Sequence, residues 1–329
     1  MTRNVPFQTI LDALLDDSNP FPARYLHRFS DLAPADLKLL LEAWPQVSAR
    51  RKQTLLEDLE DLAEADTLTC FDDLARPLLT DPEAHVRVQA IRLLWECEEA
   101  KLIPVYLKIL NKDEDTEVRA AVANALGLFV YLGELEKIPA EIHHKIEDQL
   151  IEATTSTEQI LVRRRALESL GYSGREEVIP LIEAAYHEKN PDWMVSALFA
   201  MSRSSNVRWK KQVLSQLCAP DEDIRSEAIH AAGELELASA CSVLLDLLED
   251  EEDLELRREL IWALSKIGGD GVRDRLEELL DAETDDEEAE FIEGALDNLF
   301  FTEDTTQLDI LGGYPDQDWH EEDSDEADE

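Results

Sequence analysis

The chain contains few glycines and few cysteines, and it has no long apolar run. Eleven glycines in 329 residues, together with few β-branched runs, argue against a β-sheet protein. No apolar stretch approaches the roughly 20 residues needed to span a bilayer, and the N-terminus does not resemble a signal peptide. Because they show no C-x-x-C spacing, we expect no disulfide framework or metal site from the cysteines Cys70, Cys97, Cys218 and Cys241. A soluble cytoplasmic protein is the resulting expectation.

Basic residues are missing from the last part of the chain. No Lys or Arg follows Arg275, whereas residues 281–329 contain 21 Asp or Glu. The formal net charge is −44, so the preceding 280 residues still carry −23. Such a field repels phosphate backbones and anionic headgroups, and we therefore expect no nucleic acid and no membrane among the partners. A basic protein partner is the functional interpretation of this acidity, and solubility is the alternative.

Recognisable catalytic motifs are also missing. The sequence has no Gly-rich phosphate loop, no G-x-S-x-G elbow and no H-E-x-x-H, and acidic pairs are too frequent to single out one couple. His143 and His144 are adjacent, but neighbouring helix positions point about 100° apart and no third ligand recurs nearby. We therefore predict a protein that is not an enzyme, with no catalytic, cofactor-binding or metal-binding residues and no cofactor.

What the chain does contain is a repeat in which an aliphatic residue precedes an arginine near the start of a helix-like stretch. The pairs are Val86-Arg87, Val118-Arg119, Val162-Arg163, Ile224-Arg225 and Leu256-Arg257. The intervals are 32, 44, 62 and 32 residues, and 62 is two periods of about 31. Helical spacing of the apolar residues that follow places them on one face. This pattern predicts an all-α fold, a right-handed α-solenoid of about eight stacked helical pairs.

The pattern divides the chain into three parts. Residues 1–80 are expected to be a diverged helical N-terminal cap, and residues 81–301 a solenoid of repeats. Residues 302–329 contain 12 acidic residues and no basic ones, which predicts a disordered acidic tail.

The repeat segments resemble a known family. The stretches that begin Asp81-Pro-Glu-Ala-His-Val-Arg, Asp113-Glu-Asp-Thr-Glu-Val-Arg and Asp253-Leu-Glu-Leu-Arg are similar to HEAT repeats, in the short variety also found in phycobilisome lyases. The resemblance covers roughly residues 81–300. It implies a scaffold whose recurring Asp and Arg form a ladder between successive units, with little indication of activity. The structural register residues that it implies are Asp81, Arg87, Asp113, Arg119, Arg163, Arg225 and Arg257.

The 44-residue interval is the first departure from the period. Its excess lies within Tyr131 to Thr157, and solenoid insertions often emerge on the binding face. A longer connecting helix is the favoured alternative. In the triplet Arg163-Arg164-Arg165, one arginine keeps the register, and we expect the other two to meet nearby carboxylates.

The stretch from Trp193 to Lys211 is the second departure, since it is the most basic and most tryptophan-rich part of an acidic chain. Trp and Arg are favoured at protein interfaces, although core tryptophans and charge-balancing cations are the alternative. Isolated apolar residues in the acidic tail are typical of a docking motif that orders on binding, and a segment that folds back onto the solenoid is the equal alternative. The candidate protein-binding residues are Trp193, Arg203, Arg208, Trp209, Leu308, Ile310, Leu311 and Tyr314.

These observations together favour a non-catalytic scaffold or adaptor. We expect a monomer that binds a basic protein or peptide on its concave face, with binding that weakens as salt rises. A bilin-lyase-like enzyme is an alternative implied only by the repeat variety. A nucleic-acid-binding helical-repeat protein is a further alternative, which the charge opposes.

Overall fold

The structure, a computed structural model, describes the backbone of residues 5–312 and the side chains of residues 5–301. Over that range the chain contains seventeen α-helices and short 3-10 segments, and no β-strand. None of these helices combines the length and the apolar character required to traverse a bilayer. The residues fall into two compact units, one ending at Asn206 and the other beginning at Val207.

The first unit is a stack of helical pairs preceded by a short helical segment. Its helices are α1 (Phe7–Leu15), α2 (Pro34–Ala43), α3 (Ala49–Ala65), α4 (Asp72–Leu78), α5 (Ala84–Arg92), α6 (Leu102–Lys112), α7 (Thr116–Glu134), α8 (Ala140–Thr155), α9 (Ile160–Leu170), α10 (Ile179–Tyr186) and α11 (Pro191–Arg203). Helices α3, α5, α7, α9 and α11 pack side by side in an inner layer. Helices α4, α6, α8 and α10 form an outer layer, and each packs on the inner helix that follows it.

The second unit repeats this arrangement. After a 3-10 turn at Val207–Trp209, its helices are α12 (Lys210–Leu214), α13 (Glu222–Glu234), α14 (Cys241–Asp250), α15 (Leu254–Ile267), α16 (Val272–Ala282) and α17 (Asp286–Gly312). Helices α13, α15 and α17 pack in one layer, and α14 and α16 pack on α15 and α17. Both units thus confirm the predicted all-α fold of stacked helical pairs.

Several inner helices begin with a capping side chain that the sequence contains. The Asp115 carboxylate accepts hydrogen bonds from the backbone amides of Glu117 and Val118, and so caps the free N–H groups of α7. Val118 and Val122, one turn apart, are fully buried against neighbouring helices. Asp221 and Asp253 cap α13 and α15 in the same way.

The stack of pairs begins before Asp81, inside the segment predicted to be a diverged cap. Helix α3 is capped by the Ser48 hydroxyl and packs against α5 as an inner helix. Lys52 lies four residues after Ser48, the N-cap residue of α3. Arg87 lies four residues after Glu83, the N-cap residue of α5, so the two cations occupy equivalent positions. A search for aliphatic-arginine pairs misses this helix because lysine occupies the register position.

The 44-residue interval contains two long helices, which agrees with the favoured alternative of a longer connecting helix. Helices α7 and α8 contain 19 and 16 residues, whereas α5 and α6 contain 9 and 11. The excess therefore lengthens both members of one pair.

The last helix extends beyond the boundary predicted between the solenoid and the tail. Helix α17 continues past Phe301, where the tail was predicted to begin, and ends at Gly312. Between Gly294 and Gly312 the sequence contains no glycine or proline that would break a helix. The side chains of Leu308, Ile310 and Leu311, and all of Tyr314, lie outside the described residues, so their predicted binding role stays a prediction.

Candidate functional site

The predicted register arginines connect successive helical pairs. Nε and Nη2 of Arg87 donate to Oδ2 and Oδ1 of Asp113 at 2.8 and 2.7 Å, and Nη1 donates to the carbonyl of Asp81 at 2.8 Å. Arg119 repeats this with the two carboxylate oxygens of Glu158, at 3.1 and 2.9 Å, and with the carbonyl of Asp113 at 2.7 Å. Each arginine thus joins its own helix start to the acidic residue that precedes the next inner helix.

The other register arginines keep only part of this arrangement. Arg163 donates to the carbonyl of Thr154 at 2.9 Å, and its guanidinium lies 5.2 Å from the centre of the Trp193 ring. Arg225 donates to the carbonyl of Ala219 at 2.8 Å. Both arginines therefore keep a contact with a backbone carbonyl.

The ladder also begins one helical pair earlier than the residues found from the sequence. Lys52 lies 3.6 Å from the buried carboxylate of Asp81, which also accepts a hydrogen bond from the Trp44 indole at 2.8 Å. In the second unit, Nη2 of Arg257 lies 3.7 Å from Oε2 of Glu283, which lies between α16 and α17. These contacts hold successive helical pairs in register.

A groove of about 980 Å³ runs over the inner helices of the first unit. Its floor consists of small and aliphatic side chains from α5, α7 and α9, such as Ala121, Ala125 and Leu128. Many of its other side chains belong to the last turns of inner helices or to the residues just after them. Because helix C-termini carry partial negative charge, the backbone itself favours a cation there.

One part of the groove is acidic. Glu60 and Glu64 come from the second half of α3, Glu96 and Glu98 follow α5, and Glu117 lies in the first turn of α7. Among the residues that the structure describes, none forms a hydrogen bond or ion pair with the side chains of Glu64, Glu96 or Glu117. These three exposed carboxylates are available to a cationic ligand.

Two exposed aromatic rings lie along the same groove. Trp95 is 58% exposed and Tyr131 is 44% exposed, which is unusual for such large side chains. The ring of Tyr131 lies 5.4 Å from that of Tyr172, and the Arg203 guanidinium covers Tyr172 at 4.8 Å. The aromatic surface therefore runs from α5 towards α11.

The arginines that line the groove are engaged by the protein itself. Arg165 donates to the buried carboxylate of Glu168 at 2.6 Å, and Arg203 donates to the Glu168 carbonyl at 3.1 Å. The second carboxylate oxygen of Glu168 accepts from Ser196 at 2.7 Å. Since these cations already have partners, the unpaired charge of the groove is negative. Arg164 also forms an ion pair, with Nη1 2.9 Å from Oδ2 of Asp192. Carboxylate partners were predicted for this arginine triplet.

The structure separates the candidate binding residues of the basic stretch. Trp209 is 2% exposed and Trp193 is 9% exposed. Both are therefore core residues, which was the alternative to a role as interface anchors. Burial removes the ring surface that a partner would contact, and this corrects their assignment as anchors. Arg203 lines the groove, whereas Arg208 is an exposed residue of the second unit, 5.9 Å from the Trp209 ring.

The sequence analysis missed the groove because its residues have no distinctive spacing. Trp95, Tyr131 and the unpaired glutamates come from three segments, and glutamate is too frequent in this chain to attract notice. The one available signal was a tryptophan followed by Glu96 just beyond the apolar stripe of α5.

Family comparisons agree with the repeat. The model of HEAT repeats matches residues 73–140 and 211–296, and the model of the PBS lyase HEAT-like repeat matches residues 162–188. The epoxyqueuosine reductase of Bacillus cereus is 30% identical over 102 residues, a match that covers 30% of this chain and 27% of that protein. The chain therefore spans about a quarter of the length of this curated relative.

Solved structures of low sequence identity align with much of the chain. The Escherichia coli protein YibA aligns at 18% identity with a TM-score of 0.44, covering 86% of this chain and 98% of YibA. A Kap121p mutant aligns at 14% identity with a TM-score of 0.45, covering 97% of this chain and 41% of Kap121p.

Proposed function

Because the chain belongs to the HEAT-repeat family, we propose that it is a non-catalytic scaffold that binds a basic segment of a partner protein in the groove of the first unit. HEAT repeats support a role in protein interaction in general terms, since stacked pairs expose an extended surface. The observation that carries the finer proposal is the set of unpaired carboxylates beside two exposed aromatic rings.

The chemistry of the groove favours arginine over lysine in the partner. A guanidinium can stack on the faces of Trp95 and Tyr131 while it donates hydrogen bonds to a carboxylate such as that of Glu96. Lysine offers a compact, strongly hydrated charge and loses the stacking contribution. The negative ends of the inner helices add attraction for any cation and do not distinguish the two.

The test measures binding of a fluorescent arginine-rich peptide, with a glutamate-rich peptide of equal length as the control ligand. Trp95→Ala is expected to weaken binding about 30-fold, since removal of a central aromatic anchor costs about 2 kcal/mol. Phe300→Ala is the matched control, because Phe300 is 56% exposed and lies in the second unit, outside the groove.

A pair of double variants separates the groove from the net charge of the chain. Glu64→Gln with Glu96→Gln is expected to weaken binding about tenfold and to reduce its salt dependence. Glu183→Gln with Glu188→Gln changes the total charge equally at exposed positions outside the groove and is expected to have little effect. Equal weakening by both pairs would mean that the field of the whole chain, and not the groove, attracts the peptide.

The same assay addresses the two alternatives. Binding of duplex DNA at low salt that exceeds binding of the peptide would favour the nucleic-acid alternative and contradict the proposal. A stable coloured adduct on addition of a bilin would favour the lyase alternative.

A further inference from the structure

Three side chains of metal-ligand type meet at the far ends of the two long helices. Nε2 of His143 lies 3.6 Å from Oε1 of Glu147 and 3.8 Å from Oε1 of Glu134. His143 and Glu147 are one turn apart on α8 and share a face, and Glu134 is the last residue of α7. One ligand atom from each of the three lies within 4.8 Å of the others.

Two of these groups are buried with polar atoms left unsatisfied. His143 is 8% exposed and Glu147 is fully buried. Nε2 of His143 and Oε2 of Glu147 have no hydrogen-bond partner among the residues that the structure describes. The guanidinium of Arg175 lies 3.8 Å from Oε2 of Glu147 but donates to Asp148 at 2.6 Å. A buried polar group without a partner costs about 1–3 kcal/mol, so this arrangement points to an additional ligand.

Neighbouring groups hold the three side chains in place. The Ser173 hydroxyl donates to Oε1 of Glu147, and the backbone amide of Gly174 donates to Oε1 of Glu134 at 2.8 Å. A Cβ at Gly133 would lie 2.2 Å from the His143 ring, so only glycine allows that ring to pack against α7. Such supporting contacts orient the first ligands of a metal ion and raise its affinity.

We propose that Glu134, His143 and Glu147 bind a divalent transition-metal ion, for which Zn²⁺ is the probe of choice. One imidazole and two carboxylates suit this class of ion. Tetrahedral Zn²⁺ with ligand bonds of about 2.0–2.2 Å places its ligand atoms about 3.4 Å apart, close to the separations of His143 Nε2 from the two glutamates. The three residues leave one coordination position for water.

The sequence offered no third ligand beside His143 and His144, whereas the fold brings two carboxylates to His143. His144 is exposed and stacks on His143 with the ring centres 5.9 Å apart. The missing ligands are carboxylates from one turn later and from the preceding helix. The ion would fasten the ends of α7 and α8 together, and through Ser173 and Gly174 it would fasten them to the segment that leads into α10.

The experiment uses the full chain, stripped with a chelator and titrated with Zn²⁺ in millimolar Mg²⁺. The Mg²⁺ occupies the many surface carboxylates, which prefer hard cations. We expect one Zn²⁺ per chain by elemental analysis, a higher melting temperature with Zn²⁺, and visible absorption of four-coordinate Co²⁺ when Co²⁺ replaces it. Weaker binding at acidic pH is also expected, because protons compete for the imidazole.

Variants assign the binding to these residues. His143→Gln and Glu147→Gln are each expected to weaken Zn²⁺ binding by at least about 100-fold, whereas the exposed neighbour His144→Gln retains it. Glu134→Gln changes an exposed ligand and keeps the test decisive if the buried variants do not fold. No Zn²⁺ uptake above Mg²⁺, or uptake that Glu134→Gln and His143→Gln leave unchanged, would overturn the proposal.

Discussion

The ion pair between Arg87 and Asp113 offers a direct test of the ladder. The two side chains are only 14% and 11% exposed, and two parallel hydrogen bonds join them across consecutive helical pairs. Arg87→Met keeps most of the apolar stem and removes the charge, and Asp113→Asn keeps the shape of the acceptor. The double variant completes a cycle that isolates their coupling free energy.

The structure sets the expected magnitudes. Arg87→Met should destabilise the first unit by about 3–4 kcal/mol, because it leaves the mostly buried Asp113 carboxylate without its cationic partner and also removes the hydrogen bond to the Asp81 carbonyl. Asp113→Asn should cost less, and the coupling free energy should be about 1–3 kcal/mol. The exposed pair Lys38 and Glu42 is the matched control, and its coupling should stay below about 0.5 kcal/mol.

Hydrogen exchange of the amides in α5 and α7 is the suitable assay, because it measures opening at this interface without assuming that both units unfold together. Urea unfolding of the full chain supplies the total loss of stability. Coupling no larger than that of the control pair would refute the structural role of the ladder.

The pH dependence of this coupling follows from the ionisation of Asp113. Burial raises the pKa of Asp113, but the hydrogen bonds from Arg87 and from the Asp115 amide outweigh it, so the pKa lies below its ordinary value. A lowered pKa in the folded state stabilises the fold above the unfolded pKa of about 3.9, and this contribution disappears as the pH falls through the folded pKa. The coupling should therefore be constant from neutral pH down to about pH 5 and should vanish in strong acid; a loss at neutral or alkaline pH would contradict this account.

Three further changes test other parts of the fold. Glu236 has a positive φ of 49°, so Glu236→Gly should stabilise the second unit by about 0.5–1 kcal/mol in urea unfolding, whereas Glu236→Ala removes the same charge and keeps the strain. Gly171→Ala would place a Cβ 2.6 Å from the carbonyl oxygen of Ala200, and it should destabilise the first unit by about 1–3 kcal/mol; a neutral result would disprove this close approach. The hydrogen bond to Glu259 raises the pKa of His230, so its stabilising effect should be complete below about pH 6.5 and lost as the pH rises through the folded pKa. A stability difference between the wild type and His230→Gln that grows towards alkaline pH would be the opposite of this expectation.

The helices and the ladder were predictable because their signals are local. A capping residue, an apolar stripe and a cation four residues after the cap lie within two turns of one helix, as around Asp115, Val118 and Arg119. The partner of Arg119 was less accessible. That partner is Glu158, which is 39 residues away. The repeat period predicts an acidic residue at this position only if the extra length of α7 and α8 is included.

The binding groove shows the limit of such reasoning. Trp95 and Trp209 each come a few residues after the end of an inner helix, yet one is 58% exposed and the other 2%. Exposure depends on which helices pack over each ring, and that is a property of neighbours distant in sequence. The basic stretch around Trp209 therefore attracted attention for its composition, while the groove residues did not.

By itself, the sequence determined that this protein is helical, periodic and strongly acidic, because propensity, capping and charge act over a few residues or over the whole chain. Only the tertiary structure decided which glutamates lack a partner, which aromatic rings reach the groove and that Glu134 meets His143 and Glu147. Those facts depend on how closely and at what angle helices approach one another. Close packing of side chains from separate helices decides that approach.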